Sequence, residues 1–276
     1  MHQQLSRRAR ARTGLKLIFA LTLCALAVSS ASAQTQAPAA VPMATPAAGS
    51  PSRVVLDFYQ ALRERKFREA FAMSIYKPAV DSLSPQQFDE LRPEFEKMAA
   101  AVPDRIELNG EQISGEEATV FARAGDDPSA QLDSIRLIRV QGQWLFGDRE
   151  SYQIVQTKGA TFFPEARIDA HQREVEAVLL LVAQAEATYA ALHGGTYADV
   201  DALVASKPAL KDDVQSDTLG YTFHVLLSRD AHAYAVSVEP VRYGHTGRLS
   251  YYMDATGYKS KDTGGKPFTP PGVKRP

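Results

Sequence analysis

The chain has 276 residues, with 31 basic and 32 acidic side chains and a single cysteine. That length is enough for two domains of ordinary size, and one cysteine excludes both an internal disulfide framework and a multi-thiolate metal site. Balanced, scattered charge argues against nucleic acid or an anionic lipid surface as the partner.

The first stretch has three parts. Arg7, Arg8, Arg10, Arg12 and Lys16 form a cationic start with no acidic residue, an apolar run fills 17–28 (LIFALTLCALAV), and Ser29-Ser30-Ala31-Ser32-Ala33 closes with small residues. This order predicts a secretion signal over 1–33, cut at an A-x-A site after Ala33. The apolar run is shorter than the ~20 residues a membrane helix needs. Ser6-Arg7-Arg8 departs from a twin-arginine signal at Ala9-Arg10. Cys24 follows Leu23 in mid-run and reads as part of the apolar segment. Cleavage removes five cations and no acid, leaving 26 basic against 32 acidic residues, a net charge of −6, and no cysteine. The expected product is periplasmic or secreted and does not span a membrane. Residues 34–52 (QTQAPAAVPMATPAAGSPS) carry no charge and little apolar bulk, as expected of a disordered spacer.

A first folded domain is expected over 53–152. Val54, Val55, Phe58 and Leu62, then Phe67, Ala70 and Phe71 after a short break, recur at helical spacing behind Ser52 as N-cap. Ser84-Pro85 opens another helix as cap and first-turn proline, carrying Phe88, Leu91, Phe95 and Met98. Pro93 predicts a break inside it. The pattern then turns to strands at 105–108, 118–122, 132–140 and 144–148, with turns at Ser114-Gly115 and Gly142. Helices followed by an antiparallel meander give an α+β domain. The run VVLDFYQALRERKFREAFAM, together with strands ending in QGQWLFGD, resembles the nuclear-transport-factor-2-like superfamily. The resemblance implies a curved sheet closing with helices into a cone.

Residues 153–167 (QIVQTKGATFFPEAR) read as a linker, with Phe162-Phe163 docking on a domain or extending the first sheet as a strand. The second domain, 168–265, opens on a long helix over 169–192, where Asp169 and Gln172 have capping-box spacing. Val175, Val178, Leu179, Val182, Ala185, Tyr189 and Leu192 fall on one face, and Gly194-Gly195 ends the helix. A shorter helix at 197–205 and strands at 220–228, 233–240 and 248–254 follow, and 266–276 is a disordered tail. The series AQAEATYAALHGGTYADVDAL, GYTFHVLL and AYAVSVEPVRYGHTGRLSYYMDATGYKSKDTGG resembles the globular head of type IV pilins and type II secretion pseudopilins. That implies a long helix packed on a small antiparallel sheet. The pilin membrane helix and its processing site have no counterpart here, so the resemblance implies a head reused as a soluble module.

Candidate sites are sparse. The first domain's resemblance implies that a catalytic cone would use a pocket Asp and His, as some members of that superfamily do, but Asp57 sits in a domain without histidine, and His171 lies beyond the linker. His224, His232 and His245 would need to converge to hold zinc. Asp254 and Asp262 are too few for calcium, and Asp254-Ala255-Thr256-Gly257 reads as a β-turn. Gly194-Gly195 and Gly264-Gly265 lack the strand-to-helix setting of a phosphate loop. Tyr243, Tyr251, Tyr252 and Tyr258 offer interface tyrosines, with strand alternation burying one of Tyr251 and Tyr252 and exposing the other. No catalytic, cofactor or metal residue is assigned. The expected role is a non-catalytic binding or assembly module of the cell envelope with a protein partner or a small ligand. The alternatives are an accessory component of a type II secretion or type IV pilus system, and a small-molecule carrier or enzyme using the cone.

Overall fold

The computed structural model describes residues 46–125, 131–215 and 219–273. The signal-peptide reading over 1–33 and most of the 34–52 spacer lie outside them. The protein is α+β in two parts, each with its own four-stranded antiparallel sheet. The division falls between Phe163 and Pro164.

The first unit begins with helix α1 (Pro51–Arg63). Its N-cap is Ser50, not Ser52: the Ser50 hydroxyl accepts from Arg53 N, and Pro51 takes the first helical position. Arg65, with φ +59°, breaks the helical run before α2 (Phe67–Ala72), and a short helix α3 (Lys77–Asp81) follows. Ser84 caps α4 (Pro85–Glu90) in a full capping box with Gln87. Pro93 falls in the first turn of a separate helix α5 (Arg92–Ala100), so the expected break is there.

Strands β1 (Ile106–Ser114), β2 (Glu117–Ala124), β3 (Asp133–Val140) and β4 (Gln143–Phe146) pair in sequence order. A bulge between Leu108 and Gly110 shifts the β1–β2 register. Met73 to Ile75 adds an edge to β4: Phe146 N donates to Met73 O, and Ile75 N to Phe146 O. The residues read as a linker are helical. They form α6 (Arg149–Lys158), a 3₁₀ turn (Gly159–Thr161) and the start of α7 (Phe162–Leu192). Phe163 is buried in the first core and Phe162 packs against it, so this pair docks on the first unit as helix rather than strand.

Helix α7 carries most of its length into the second unit. Asp169 lies inside it, so no capping box forms there; the Gln172 amide oxygen instead accepts from Arg248 N and Leu249 N. After the left-handed Gly194 and Gly195 come α8 (Val200–Ser206), capped by Asp199, and α9 (Lys211–Gln215). Strands β5 (Tyr221–Leu227), β6 (Tyr234–Pro240), β7 (Leu249–Asp254) and β8 (Gly257–Asp262) pair in order, the last being one strand more than expected. Val175, Val178, Leu179 and Val182 of α7 form one core with Tyr221, Val236, Val238, Tyr251 and Met253 of the sheet.

Gly247 is required in that core by space rather than by backbone conformation. A Cβ there would lie 1.9 Å from the Tyr221 hydroxyl and 2.3 Å from its ring. Gly247→Ala should therefore destabilise the second unit by about 3 kcal/mol, read as a lowered urea midpoint in circular dichroism. The Tyr221 hydroxyl is buried without a hydrogen-bond partner. Tyr221→Phe should thus be neutral or stabilising, and should recover part of the Gly247→Ala loss. A double mutant no more stable than Gly247→Ala would refute this account.

Candidate functional site

The interior of the first unit is the place where a cone would hold a ligand. Aromatic rings fill it. Phe58 of α1 stacks on Phe146 of β4 with centroids 4.4 Å apart. Phe95 of α5 lies 4.9 Å from Phe71, 5.2 Å from Phe88 and 5.3 Å from Phe163. A remaining cavity beside Tyr59, Pro103, Ile106, Ala122 and Asp133 measures about 20 Å³, room for roughly one water molecule. Burial raises the Asp133 carboxyl above its usual range. Burial, followed by the charge of Asp133, raises the Tyr59 phenol. Asp57 takes no part in this cavity: it pairs with Arg53 at 2.7 Å, one turn away on α1.

Two open grooves on the described part of this unit are large enough to consider. One of about 370 Å³ is lined by Arg65, Lys66, Arg68 and Arg92, which suggests an anion. Those charges are already engaged. Arg65 pairs with Glu96 at 2.7 Å, Lys66 with Glu64 at 2.9 Å and Arg92 with Asp89 at 3.2 Å, while Arg68 lies 4.0 Å over the Phe88 ring. The other groove, about 340 Å³, runs over β2 and β3 beside Asp148 and Arg149. Asp148 is spent as the N-cap of α6, its carboxylate accepting from Ser151 N and Ser151 Oγ.

The second unit scatters the histidines. His171 is buried, with Nδ1 2.9 Å from Thr246 O. His224 Nε2 lies 3.6 Å from Glu239 Oε2, and His232 Nδ1 is 3.1 Å from Gly195 O. Among the described residues no three His, Cys, Asp or Glu side chains converge on a metal position. Asp254 closes the expected turn: its carboxylate accepts from Thr256 N at 2.8 Å and from Thr256 Oγ1. Asp262 accepts from Tyr243 Oη and from Gly264 N.

Tyr251 and Tyr252 are both buried, contrary to the alternation expected. The reason is that both faces of the sheet are covered: β6 is buried at every position from Tyr234 to Pro240. On the face opposite α7, Ser237 hydrogen-bonds Glu239, and the Thr263 hydroxyl donates to Ser250 Oγ at 2.9 Å.

Glu186 on α7 is a functional candidate that sequence reading missed. It is fully buried; Oε2 accepts from Ala198 N at 2.9 Å, while Oε1 has no partner. Burial raises its pKa to about 7, the Ala198 N–H opposes the rise and the Asp199 carboxylate adds to it. Its period was the available signal: Val182, Glu186 and Tyr189 stand at i, i+4 and i+7, so the acid falls on the buried face.

Opposite Glu186, α7 presents an apolar face to solvent. Leu180 is 56% exposed, Leu181 38% and Leu192 76%. Ala177, Gln184, Ala187, Thr188 and Ala191 are exposed between them, with no charge among these positions. Leu192 therefore does not belong to the buried face. By length and composition, Arg149–Leu192 is apolar enough to cross a bilayer, but a third of its most apolar stretch is buried inside the protein. Val175, Leu179 and Val182 face the second core. Comparison with known proteins adds nothing to this picture. No family model matches the chain, and neither does a curated protein or a solved structure.

Proposed function

We propose that the chain is an exported, non-catalytic binding or assembly module of the cell envelope, which docks a protein partner through the exposed face of α7. The observation that carries this reading is the uncharged stripe from Ala177 to Leu192, which includes three exposed leucines. A helix at the edge of an ordinary core turns charge to water, whereas a contiguous apolar patch marks an interaction surface. The aromatic filling of the first unit favours a scaffold over a carrier, since a drug-sized ligand needs a pocket of roughly 300–1,000 Å³. Export rests on the cationic start, apolar run and A-x-A exit of residues 1–33. A second reading, an accessory component of a secretion or pilus machine, draws on the long helix packed against an antiparallel sheet in the second unit.

A photo-crosslinking residue placed at position 181 in cells should give a discrete adduct with an envelope-fraction protein, a copy of the chain included. The same probe at Asp201, exposed on α8, should not. Absence of any adduct at 177, 181 and 192 would refute docking through this face.

A further inference from the structure

The stripe on α7 has an internal symmetry that identifies its occupant. Take Gln184 as the centre and reverse the chain direction, so that residue i meets residue 368 − i. Ala177 then meets Ala191, Leu180 meets Thr188, Leu181 meets Ala187, and Gln184 meets itself. Leu180 and Leu181 each face a smaller side chain, and alanine faces alanine at both ends of the paired span; Leu192 lies beyond it, opposite Glu176. All seven positions are exposed. The spacing 177, 181, 184, 188, 191 alternates steps of four and three, the period of a seam between two packed helices. A primary amide both donates and accepts, so two Gln184 side chains on a twofold axis can satisfy each other. No charge lies on the seam to repel an identical copy.

We infer that the occupant is a second copy of this chain, its α7 antiparallel to the first about a twofold axis through Gln184. This rests on the docking face proposed above and names its partner. A twofold contact is isologous: one patch serves both partners, as the pairing requires. The stripe covers about 16 residues, or ~24 Å of helix. That is short for an interface of standard size, which buries ~1,200 Å² or more. The dimer is accordingly weak and reversible, with dissociation in the micromolar range.

The pairing predicts a register that single cysteines can read. Cys24, the one native cysteine, is replaced by serine in the full chain. Ala177→Cys protein mixed with Ala191→Cys protein should form a mixed disulfide at least tenfold faster than either protein alone forms its own. The parent chain should sediment as a concentration-dependent monomer–dimer mixture. Leu181→Glu, at an exposed site, should sediment as monomer with an unchanged circular dichroism spectrum.

A parent chain monomeric to several hundred micromolar, or equal crosslinking rates in the mixed and separate samples, would overturn the inference. So would loss of self-association in favour of binding to anionic lipid vesicles. If the chain is monomeric while position 181 still captures a different envelope protein, self-pairing fails and the docking face stands. If neither is found, both fail.

Discussion

Phe95→Ala is expected to destabilise the first unit by about 4 kcal/mol. Phe95 is 1% exposed and stands at the meeting point of Phe67, Phe71, Phe88 and Phe163, which come from α2, α4 and the start of α7. Truncating a buried phenylalanine typically costs ~3–5 kcal/mol, from lost transfer energy and from the cavity left behind. Several ring contacts are lost as well, each worth ~0.5–1.5 kcal/mol beyond area and not strictly additive. Collapse around the gap is hindered because the neighbouring rings are held by separate helices. Phe95→Leu retains most of the volume and should cost about a third as much.

The chain offers a selective probe of this loss. Trp144 is its one tryptophan and lies half-buried on β4 of the first unit, with the Arg139 guanidinium 5.6 Å over its ring. The urea transition followed by Trp144 fluorescence should move sharply to lower denaturant in Phe95→Ala. A Trp144 shift worth less than ~1 kcal/mol would mean that the interior tolerates a void. The filled-scaffold reading of this unit would then fail, and a carrier would regain its standing.

The first sheet was legible because alternation survives in it. β2 buries Ala118, Val120 and Ala122 and turns the residues between them outward, as a half-buried strand should. The Ser84-Pro85 start and the Pro93 break were equally legible, since cap and proline chemistry act through the adjacent backbone. Failures came where distant contacts decide the outcome. Asp169 and Gln172 carried a local capping signal, yet the helix starts seven residues earlier, because Phe162 and Phe163 anchor it in an aromatic core made by residues some 70–90 positions away. Pro164, in the first turn, was the unread local cue. The joint burial of Tyr251 and Tyr252 depends on both sheet faces being covered, which a period of two cannot report.

The candidate surface was legible only in part. Helical spacing assigned Leu192 to the buried face, but the helix has 3.6 residues per turn and the sheet beneath it is narrow. The residues after Tyr189 outrun that support: Leu192 is exposed, and Tyr189 instead stacks on His193 at 3.8 Å.

Glu186 places a pH-dependent cost on the opposite side of the same helix. Its carboxyl titrates near 7 in the folded protein against 4.5 for the free side chain. A raised acid favours the neutral form in the folded state. The stabilisation from that neutral form is complete below pH 4.5 and is lost as pH rises through 7. The window implies about 2–3 kcal/mol less stability for the second unit at pH 8.5 than at pH 4.5 from this residue. Beyond burial, part of that rise comes from Asp199, which caps α8 next to it, while the phenol of Tyr234 on β6, itself raised by burial and then by Glu186, stays neutral across this window. The single donor, Ala198 N, satisfies one carboxylate oxygen and leaves the other bare.

Glu186→Gln keeps an acceptor for Ala198 N and removes the charge. The variant should match the parent near pH 5 and exceed it by 2–3 kcal/mol at pH 8.5, read as the difference in urea midpoints by circular dichroism. Glu186→Leu removes the acceptor, so it should lose ~1–3 kcal/mol at pH 5 from the buried, unpaired Ala198 N–H, and recover relative to the parent as pH rises. A stability gap between Glu186→Gln and the parent that stays constant from pH 5 to 8.5 would show that the carboxyl ionises in the folded chain as it does in water. Glu186 would then owe its place to the hydrogen bond that pins the turn after α7, and not to its charge.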